Sequence, residues 1–165
     1  VRIYFSTRAV DPKNGKFLSH IAFVDVAADM RTVIRVADKP VIPLGELGCF
    51  DEHGIFPINV VRHDGKISAF TCGWNRRVSV SVDTAVGLAE SHDDGLTFTK
   101  LGHGPVMGAS LHEPCLVGDA FVLPVDGVFH MWYIFGTGWK QYADGAAPDR
   151  TYKICLLYTS DAADE

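Results

Sequence analysis

The feature that most constrains this chain is an Asp-Gly pair set between apolar stretches rich in β-branched and aromatic residues, which occurs twice. One copy is Asp64-Gly65, followed by KISAFTCGW, and the other is Asp126-Gly127, followed by VFHMWYIFGTGW, 62 residues farther along. Aspartate and glycine tolerate the positive φ angles of a two-residue turn, so each pair predicts a tight antiparallel hairpin. We therefore expect up-and-down antiparallel sheets.

The repeat extends beyond the two hairpins. A partial third copy, residues 2–8, matches the pattern of residues 67–73, and a Pro-Val pair recurs at residues 40–41 and 105–106. A unit of this length is too long for a solenoid repeat and suits one elaborated, four-stranded blade of a β-propeller. Because no segment shows a convincing helical stripe, the sequence predicts an all-β propeller fold.

The repeat also suggests how the chain is organised. We expect a partial propeller domain over residues 1–154, with blade units at about 1–43, 44–107 and 108–154, or about two and a half blades. The last segment, residues 155–165, reads CLLYTSDAADE and matches the translation of a transposase sequencing adapter. We interpret it as a non-native, adapter-derived tail on a metagenomic fragment that is open at both ends, and exclude it from the fold.

Composition and charge argue against two classes of partner. The 165 residues carry a formal net charge of −5, with a pI of about 5.8, which disfavours a nucleic-acid surface. No apolar run approaches the roughly 20 residues that a membrane-spanning helix needs. We expect neither a nucleic acid nor a membrane as partner, and the sequence leaves the oligomeric state open.

The cysteines give no sign of a metal site or a disulfide framework. Outside the tail they are Cys49, Cys72 and Cys115, which lack the paired spacing of zinc ligands. Cys72 lies in an apolar stretch and is expected to be a buried free thiol. This pattern leans towards a reducing, cytoplasmic compartment. No motif demands a metal or another cofactor, so we predict none.

The stretch at residues 91–98, SHDDGLTF, fits the S-x-D-x-G-x-T-W/F pattern known as the Asp-box. The physics of this turn is local. The Asp93 carboxylate is expected to accept backbone N–H groups, Gly95 to supply unusual backbone angles and Phe98 to pack beneath. The motif supports a propeller, in which such turns lie at the rim, and predicts no chemistry.

Chemistry in a propeller is expected where the blades converge, at one mouth of the central channel. Two segments precede predicted innermost strands: residues 48–57, which contain Asp51, and residues 111–116, which contain Glu113. Equivalent positions in successive blades meet around one axis. We therefore expect the two carboxylates to face one pocket.

Two carboxylates in one cleft suit glycosidic cleavage, in which one protonates the departing oxygen and the other activates water or attacks the anomeric carbon. Glu113, flanked by Leu111 and Cys115, has the more apolar setting, which favours its protonated form and makes it the candidate acid. Asp51 is then an ionised base or an orienting charge. Alternatively, Asp51 caps a loop and Glu113 binds a backbone amide.

Several elements together resemble the five-bladed propellers of glycoside hydrolase families 43, 32 and 130 and the arabinanases. They are Phe50-Asp51-x-x-Gly54-Ile55-x-Pro57, His112-Glu113-Pro114, Met131-Trp132-Tyr133 and Gly138-Trp139. The resemblance covers residues 1–154. It is closer to a poorly characterised bacterial group of glycosidase-related proteins, found beside polysaccharide-synthesis genes or joined to glycosyltransferases. It implies a carbohydrate ligand, and hydrolysis with inversion ahead of phosphorolysis.

The family pattern implies a base Asp in the first blade, a pKa-modulating Asp in the second and an acid Glu in the third. By blade order Glu113 matches the acid and Asp51 the modulator. The base would then precede Val1, and the fragment alone would be inactive. If the blade of Asp51 is instead the first, Asp51 is the base; the sequence leaves both assignments open.

Other residues are candidates for contacting a sugar. Trp74 and Trp139 follow equivalent strands and are expected either to stack on sugar rings or to lie buried between blades. Arg8, Arg76 and Arg77 follow strand ends and reach either hydroxyl, carboxylate or phosphate groups of the substrate or solvent at the rim. His112, beside the candidate acid, would bond a hydroxyl or tune that acid.

Other functions stay open beside a hydrolase. One is a non-catalytic carbohydrate-binding propeller associated with glycan biosynthesis, which fold alone does not separate from an enzyme. Another is a glycoside phosphorylase. A sialidase, suggested by the Asp-box, would require an arginine cluster and a Tyr-Glu pair, which we do not find in the sequence.

Overall fold

The computed structural model describes residues 1–160, and the prediction of an all-β fold is confirmed. No helix occurs among these residues, so none of them forms a helix that could cross a membrane. The strands are β1 (Arg2–Val10), β2 (Phe17–Val26), β3 (Val33–Val36), β4 (Gly54–His63), β5 (Lys66–Arg76), β6 (Val82–Ser91), β7 (Thr99–Lys100), β8 (Cys115–Val125), β9 (Val128–Lys140) and β10 (Asp149–Ser160).

The strands form two sheets. The larger has the order β1-β2-β4-β5-β6-β7, with β3 also paired to β2, and the smaller has the order β10-β9-β8. Over residues 1–160 the pairs are antiparallel except that β2 and β4 meet in parallel at one residue pair, Ser19 and Gly54. The larger sheet thus consists of two up-and-down parts. We call them the first unit (β1–β3) and the second unit (β4–β7), and β8–β10 the third unit.

Both predicted Asp-Gly hairpins are confirmed. His63 pairs with Lys66 across one turn, and Val125 pairs with Val128 across the other. All four turn residues have positive φ angles: 48° at Asp64, 74° at Gly65, 51° at Asp126 and 76° at Gly127. Two successive positive φ angles define the type I′ turn, whose twist matches that of the flanking strands. The repeat therefore joins β4 to β5 and β8 to β9.

The Pro-Val repeat makes equivalent contacts in the first and second units. The Val41 amide donates to the Ile21 carbonyl at 2.9 Å, and the Val106 amide donates to the Val86 carbonyl at 2.8 Å. Each pair thus adds a short extended segment beside the same strand of its unit, β2 or β6. The repeated sequence encodes a repeated backbone arrangement.

Two apolar clusters hold the units face to face. The cluster between the first and second units includes Ile21, Phe23, Ile42, Ile55, Ala69 and Ala89, and the cluster between the second and third includes Val86, Val117, Ala120 and Tyr133. Their members are 0–7% exposed. Fully burying one large aliphatic or aromatic side chain contributes about 1.5–3 kcal/mol, so burial between the units is a main source of their stability.

Strands β4 and β8 run in the same direction, side by side. Asn59 Oδ1 on β4 accepts the Val122 amide of β8 at 2.8 Å, whereas Gly118, earlier on β8, lies against Cys72 and Thr84 near the end of β5 and the start of β6. The starts of β4, β6 and β8 and the end of β5 therefore lie together. We call this the upper end of the sheets.

The third unit has one apolar face that no other described element covers. Phe121 pairs across strands with Trp132, which pairs with Leu156, so these side chains share a face with Leu123 and Val125. They are 36–51% exposed. We call this surface the outer face of the third unit.

Strand β10 continues past Ile154 to Ser160 and pairs with β9 along its whole length. It therefore includes the first six residues of the segment that the sequence pattern excluded from the fold. The physical reason is the composition of that segment, since Cys155, Leu156, Leu157 and Tyr158 are apolar residues that pair readily in a strand. Residues 161–165 lie outside the described part of the chain, and the adapter origin stays a prediction.

Candidate functional site

The segment that precedes β4 lies over two glycines of the second unit. A β-carbon added at Gly73 would meet Phe50 Cε2 at 2.4 Å and Asp51 Cβ at 2.5 Å. One added at Gly87 would meet Phe50 Cζ at 2.6 Å. The missing side chains let the Phe50-Asp51 pair lie directly on β5 and β6. As a result, Asp51 is only 1% exposed.

The Asp51 carboxylate is paired with a lysine. Lys100 Nζ on β7 lies 2.5 Å from Asp51 Oδ2. Neither carboxylate oxygen accepts a hydrogen bond of regular geometry within residues 1–160, so this contact is an ion pair rather than an aligned hydrogen bond. A buried carboxylate is costly unless an opposite charge accompanies it. Lys100 therefore accommodates the charge of Asp51.

Glu113 is half-buried and held by two hydroxyl groups. The Tyr133 hydroxyl donates to Oε1 at 2.5 Å, and the Ser110 hydroxyl donates to Oε2 at 3.2 Å. The Ser110 amide also donates to the Glu113 carbonyl at 2.9 Å, which closes the loop before β8. Burial, followed by contacts with Cys155 and Glu113, raises the pKa of Tyr133, so the hydroxyl stays a donor at neutral pH.

The expectation of an apolar setting for Glu113 is wrong. Leu111 is 90% exposed, and Pro114 is exposed as well. The carboxylate contacts the hydroxyl groups of Ser110 and Tyr133 instead. The loop turns Leu111 and Pro114 outward, whereas Cys115 is half-buried at the start of β8.

Both carboxylates belong to segments at the upper end, but their environments differ. Asp51 is covered and ion-paired, whereas Glu113 keeps part of its surface open to solvent. Only Glu113 can therefore meet a ligand without a rearrangement of the loop. That the two face one pocket stays a prediction.

A groove of about 530 Å³ lies at the upper end, beside the segment that carries Asp51. We call it the upper groove. Its lining includes Phe50, next to Asp51, and Ala109, next to the Ser110 that holds Glu113. The remaining lining residues are Gly48, Cys49, Asn75, Arg77, Asp83, Thr84, Ala85, His103, Gly104, Pro105 and Gly108.

Trp74 lies buried beside two neighbours at the upper end. It is 8% exposed; its ring stacks on His53 with centroids 5.9 Å apart, and the Arg76 guanidinium lies 5.4 Å from the ring centroid. Burial, and then the charge of Arg76, lowers the pKa of His53, which keeps the imidazole neutral. A sugar would reach the Trp74 ring only if His53 or Arg76 moved. Arg76 also donates to the Phe17 carbonyl.

The other predicted sugar-contacting residues are more open. Trp139 is half-buried, with the Arg150 guanidinium 6.0 Å from its ring centroid. Arg8 is exposed, with its guanidinium 5.9 Å from the Phe17 ring centroid, and His112 is exposed. All three are accessible to a ligand, and their contact with a sugar stays a prediction.

No cluster of three or more His, Cys, Asp or Glu side chains over residues 1–160 is arranged to hold a metal ion. Cys49, Cys72, Cys115 and Cys155 are all free thiols. Cys72 is 3% exposed, as expected, and burial raises the pKa of its thiol. Cys72, Cys115 and Cys155 lie in strands and pack between them, whereas Cys49 lies in the loop before β4 and lines the upper groove.

Three residues of this region escaped sequence reasoning: Lys100, Ser110 and Tyr133. Lys100 lies almost fifty positions after Asp51, and nothing in its local sequence marks it as a partner for a buried charge. Tyr133 did carry a signal, since it follows Met131-Trp132 in the motif that resembles the propeller hydrolases. Its contact with Glu113 is a Tyr-Glu pair, which the sequence analysis did not find. The short Ser110-to-Glu113 spacing, which is common in hydroxyl-capped turns, was also readable.

No family model matches this chain. Two curated proteins of Mycobacterium tuberculosis are similar to it: the uncharacterized protein MT1551 of strain CDC 1551 / Oshkosh and the uncharacterized protein Rv1502 of strain ATCC 25618 / H37Rv. Each is 28% identical over 143 residues, which cover 87% of this chain and 46% of the relative. The chain thus spans less than half the length of the curated relatives it matches.

Two solved structures share its fold. One, described as a glycoside hydrolase, has a TM-score of 0.63 and 13% identity, and the match covers 95% of this chain and 40% of that protein. The other, described as a complex of BT0996 with RGII, has a TM-score of 0.63 and 12% identity, and the match covers 98% of this chain and 41% of that protein. The chain therefore has a glycoside-hydrolase-like β fold.

Proposed function

We propose that this chain is part of a five-bladed, glycosidase-like propeller that cleaves a glycosidic bond, with Glu113 as the proton donor. The observation that carries the proposal is the Glu113 carboxyl group, half exposed in the segment before β8 and held by Tyr133 and Ser110. Likeness in fold to a glycoside hydrolase supports the substrate class. The ligand is then a carbohydrate.

In this proposal the residues of this chain supply the proton donor and two groups that support it. The Tyr133 hydroxyl fixes Glu113 through Oε1, which leaves the carboxyl group oriented to protonate the departing oxygen. Asp51, ion-paired beneath Phe50, contributes a fixed charge near the site and does not touch the substrate. The group that activates water comes from outside this chain, whose match covers less than half of each relative.

The test uses the full-length product of the gene, assayed on aryl glycosides and oligosaccharides. Replacing Glu113 with glutamine keeps the shape of the side chain and removes its exchangeable proton. We expect hydrolysis to fall by about 10²–10⁴-fold, the usual contribution of a general acid. The exposed Glu46, changed to glutamine, is the matched control and should retain full activity. Undiminished hydrolysis by the Glu113→Gln protein would remove Glu113 from this role.

A second candidate is a carbohydrate-binding propeller without catalysis. It is favoured by the burial of Asp51 and its pairing with Lys100, which keep one of the two predicted carboxylates from the ligand. Calorimetry separates the two candidates. Glycan binding by the full-length protein, without turnover of any glycoside, favours the binding protein.

A further inference from the structure

The upper groove carries polar groups that the proposed cleavage step does not use. It lies between residues 48–50, 75–85 and 103–109 and has a volume of about 530 Å³. Sites for small molecules have volumes of roughly 300–1,000 Å³. The groove is therefore large enough for a ligand of its own.

One wall of the groove is an arginine–aspartate pair. Arg77 Nη2 contacts Asp83 Oδ2, and Asp83 Oδ1 accepts the Thr84 amide at 3.0 Å. The Arg77 side chain is 53% exposed and that of Asp83 27%. A guanidinium has five N–H donors and a carboxylate about four acceptor positions, so both keep unused capacity. Adjacent hydroxyl groups, each both donor and acceptor, match such a pair.

The same wall contains an unpaired acceptor. Asn75 Oδ1 is buried and has no hydrogen-bond partner within residues 1–160. A buried acceptor without a donor costs free energy, and a ligand hydroxyl would offset this cost once a turn of the Asn75 side chain opened Oδ1 to the groove. Across the groove, His103 adds an exposed imidazole that can donate or accept.

The floor of the groove is apolar. The Phe50 ring lies on Gly73 and Gly87, where it is fixed by the close approach of the backbone. Ala85 and Pro105 extend this surface. The C–H groups on the face of a pyranose or furanose ring are apolar, and the hydroxyl groups around its edge are polar. An aromatic ring below the sugar and hydrogen-bonding side chains beside it therefore match both surfaces.

We propose that the upper groove binds one sugar ring, stacked on Phe50 and held through adjacent hydroxyl groups by Arg77 and Asp83. This inference rests on the proposed function for its ligand class. The groove lies next to the candidate acid, because Ala109 lines it and the following residue, Ser110, contacts Glu113. The bound ring therefore neighbours the bond to be cleaved and determines which glycan is accepted.

The test measures binding of methyl glycosides of common hexoses and pentoses by isothermal titration calorimetry. The protein is the full-length chain carrying Glu113→Gln, so that cleavage does not interfere. Asp83→Asn should weaken binding about tenfold or more, because a hydrogen bond to a charged group is lost. Gly104→Leu, whose β-carbon would meet no atom within 4 Å, adds a bulky side chain to the lining of the groove and should weaken binding.

The matched control is Asp94→Asn. Asp94 also pairs with an exposed arginine, Arg62, but lies outside the groove. It should leave the affinity unchanged. Absence of binding to every glycoside, or equal affinity of the Gly104→Leu and Asp94→Asn proteins, would overturn the inference. Hydrolysis is assayed separately on the full-length protein with Glu113 intact. Sugar binding that depends on Asp83, without hydrolysis by that protein, would retain the groove and end the proposed cleavage. Hydrolysis without Asp83-dependent sugar binding would retain the cleavage and end the groove.

Discussion

Lys100 Nζ lies 2.5 Å from Asp51 Oδ2, and this contact joins the edge strand of the second unit to the segment that precedes β4. Asp51 is 1% exposed, so its charge has little access to water. The pair therefore fixes the loop that also positions Phe50 in the upper groove. Asp51, which the sequence indicated as a candidate catalytic residue, is in the fold a buried and ion-paired side chain.

Removing the lysine should destabilise the protein. In the Lys100→Met protein the buried Asp51 carboxylate loses its counter-ion, and breaking such a pair costs about 3–5 kcal/mol. We expect the lower end of that range, because the Lys100 side chain is 18% exposed. Urea unfolding measures the change. The double variant Lys100→Met, Asp51→Asn should recover most of the loss, and an unchanged midpoint for the single variant would contradict the prediction.

Filling the glycine platform should displace Phe50. A β-carbon in Gly73→Ala would lie 2.4 Å from Phe50 Cε2, well inside contact distance. We expect a loss of about 1–3 kcal/mol in the free energy of unfolding, the usual effect of overpacking. The control is Gly138→Ala, also in a strand, where nothing lies within 4 Å of the added carbon. Equal midpoints for the two proteins in thermal unfolding would refute this account of the platform.

Removing the Tyr133 hydroxyl should affect activity more than stability. Tyr133→Phe keeps the buried ring and loses the 2.5 Å hydrogen bond to Glu113, which alters unfolding by about 0.5–1.5 kcal/mol. A misplaced carboxyl group lowers kcat by about 10- to 100-fold with little change in KM. The exposed Tyr152→Phe is the control. If kcat for glycoside hydrolysis is the same in both proteins, Tyr133 does not position Glu113.

The turn at Asp93 should make stability depend on acid pH. Asp93 accepts the Thr97 hydroxyl at 2.6 Å and the Thr97 amide at 2.9 Å, and these bonds, with the Thr97 hydroxyl foremost, lower the pKa of Asp93 from 3.8 to about 2. Because the folded pKa is below the unfolded one, this stabilisation is present above about pH 4 and is lost as the pH falls towards 2.

The measurement is the free energy of unfolding against pH for wild type and Asp93→Asn. The difference between the two proteins should be largest near neutral pH and shrink below pH 4. Asp126→Asn, in an exposed turn, serves as the control and should follow wild type throughout. Parallel curves for wild type and Asp93→Asn down to pH 2 would show that protonation of Asp93 does not change the stability of the protein.

Local chemistry explains what the sequence could predict. The Asp-Gly turns could be read because two adjacent residues determine the backbone angles, and the Asp93 turn because its donors lie within four residues. The recurrent Pro-Val pairs likewise make equivalent backbone contacts in two units. In each case the partners are close in sequence or repeat with the period of the fold.

The features that the sequence could not predict depend on contacts between segments that are distant in the chain. The burial of Asp51 depends on Gly73 of β5 and on Lys100, neither of which is close to it in sequence. The setting of Glu113 depends on Tyr133, brought over by β9. The sequence shows which segment carries a carboxylate. The residues that bury that carboxylate or neutralise its charge depend on which strands pack against the segment in the fold.

The outer face of the third unit has a practical consequence. Phe121, Leu123, Trp132 and their neighbours present a contiguous apolar surface with a third to half of each side chain in water. Large patches of this kind adhere to one another. A sample of this chain should therefore remain dispersed for longer at low protein concentration, and mild detergent would extend that time.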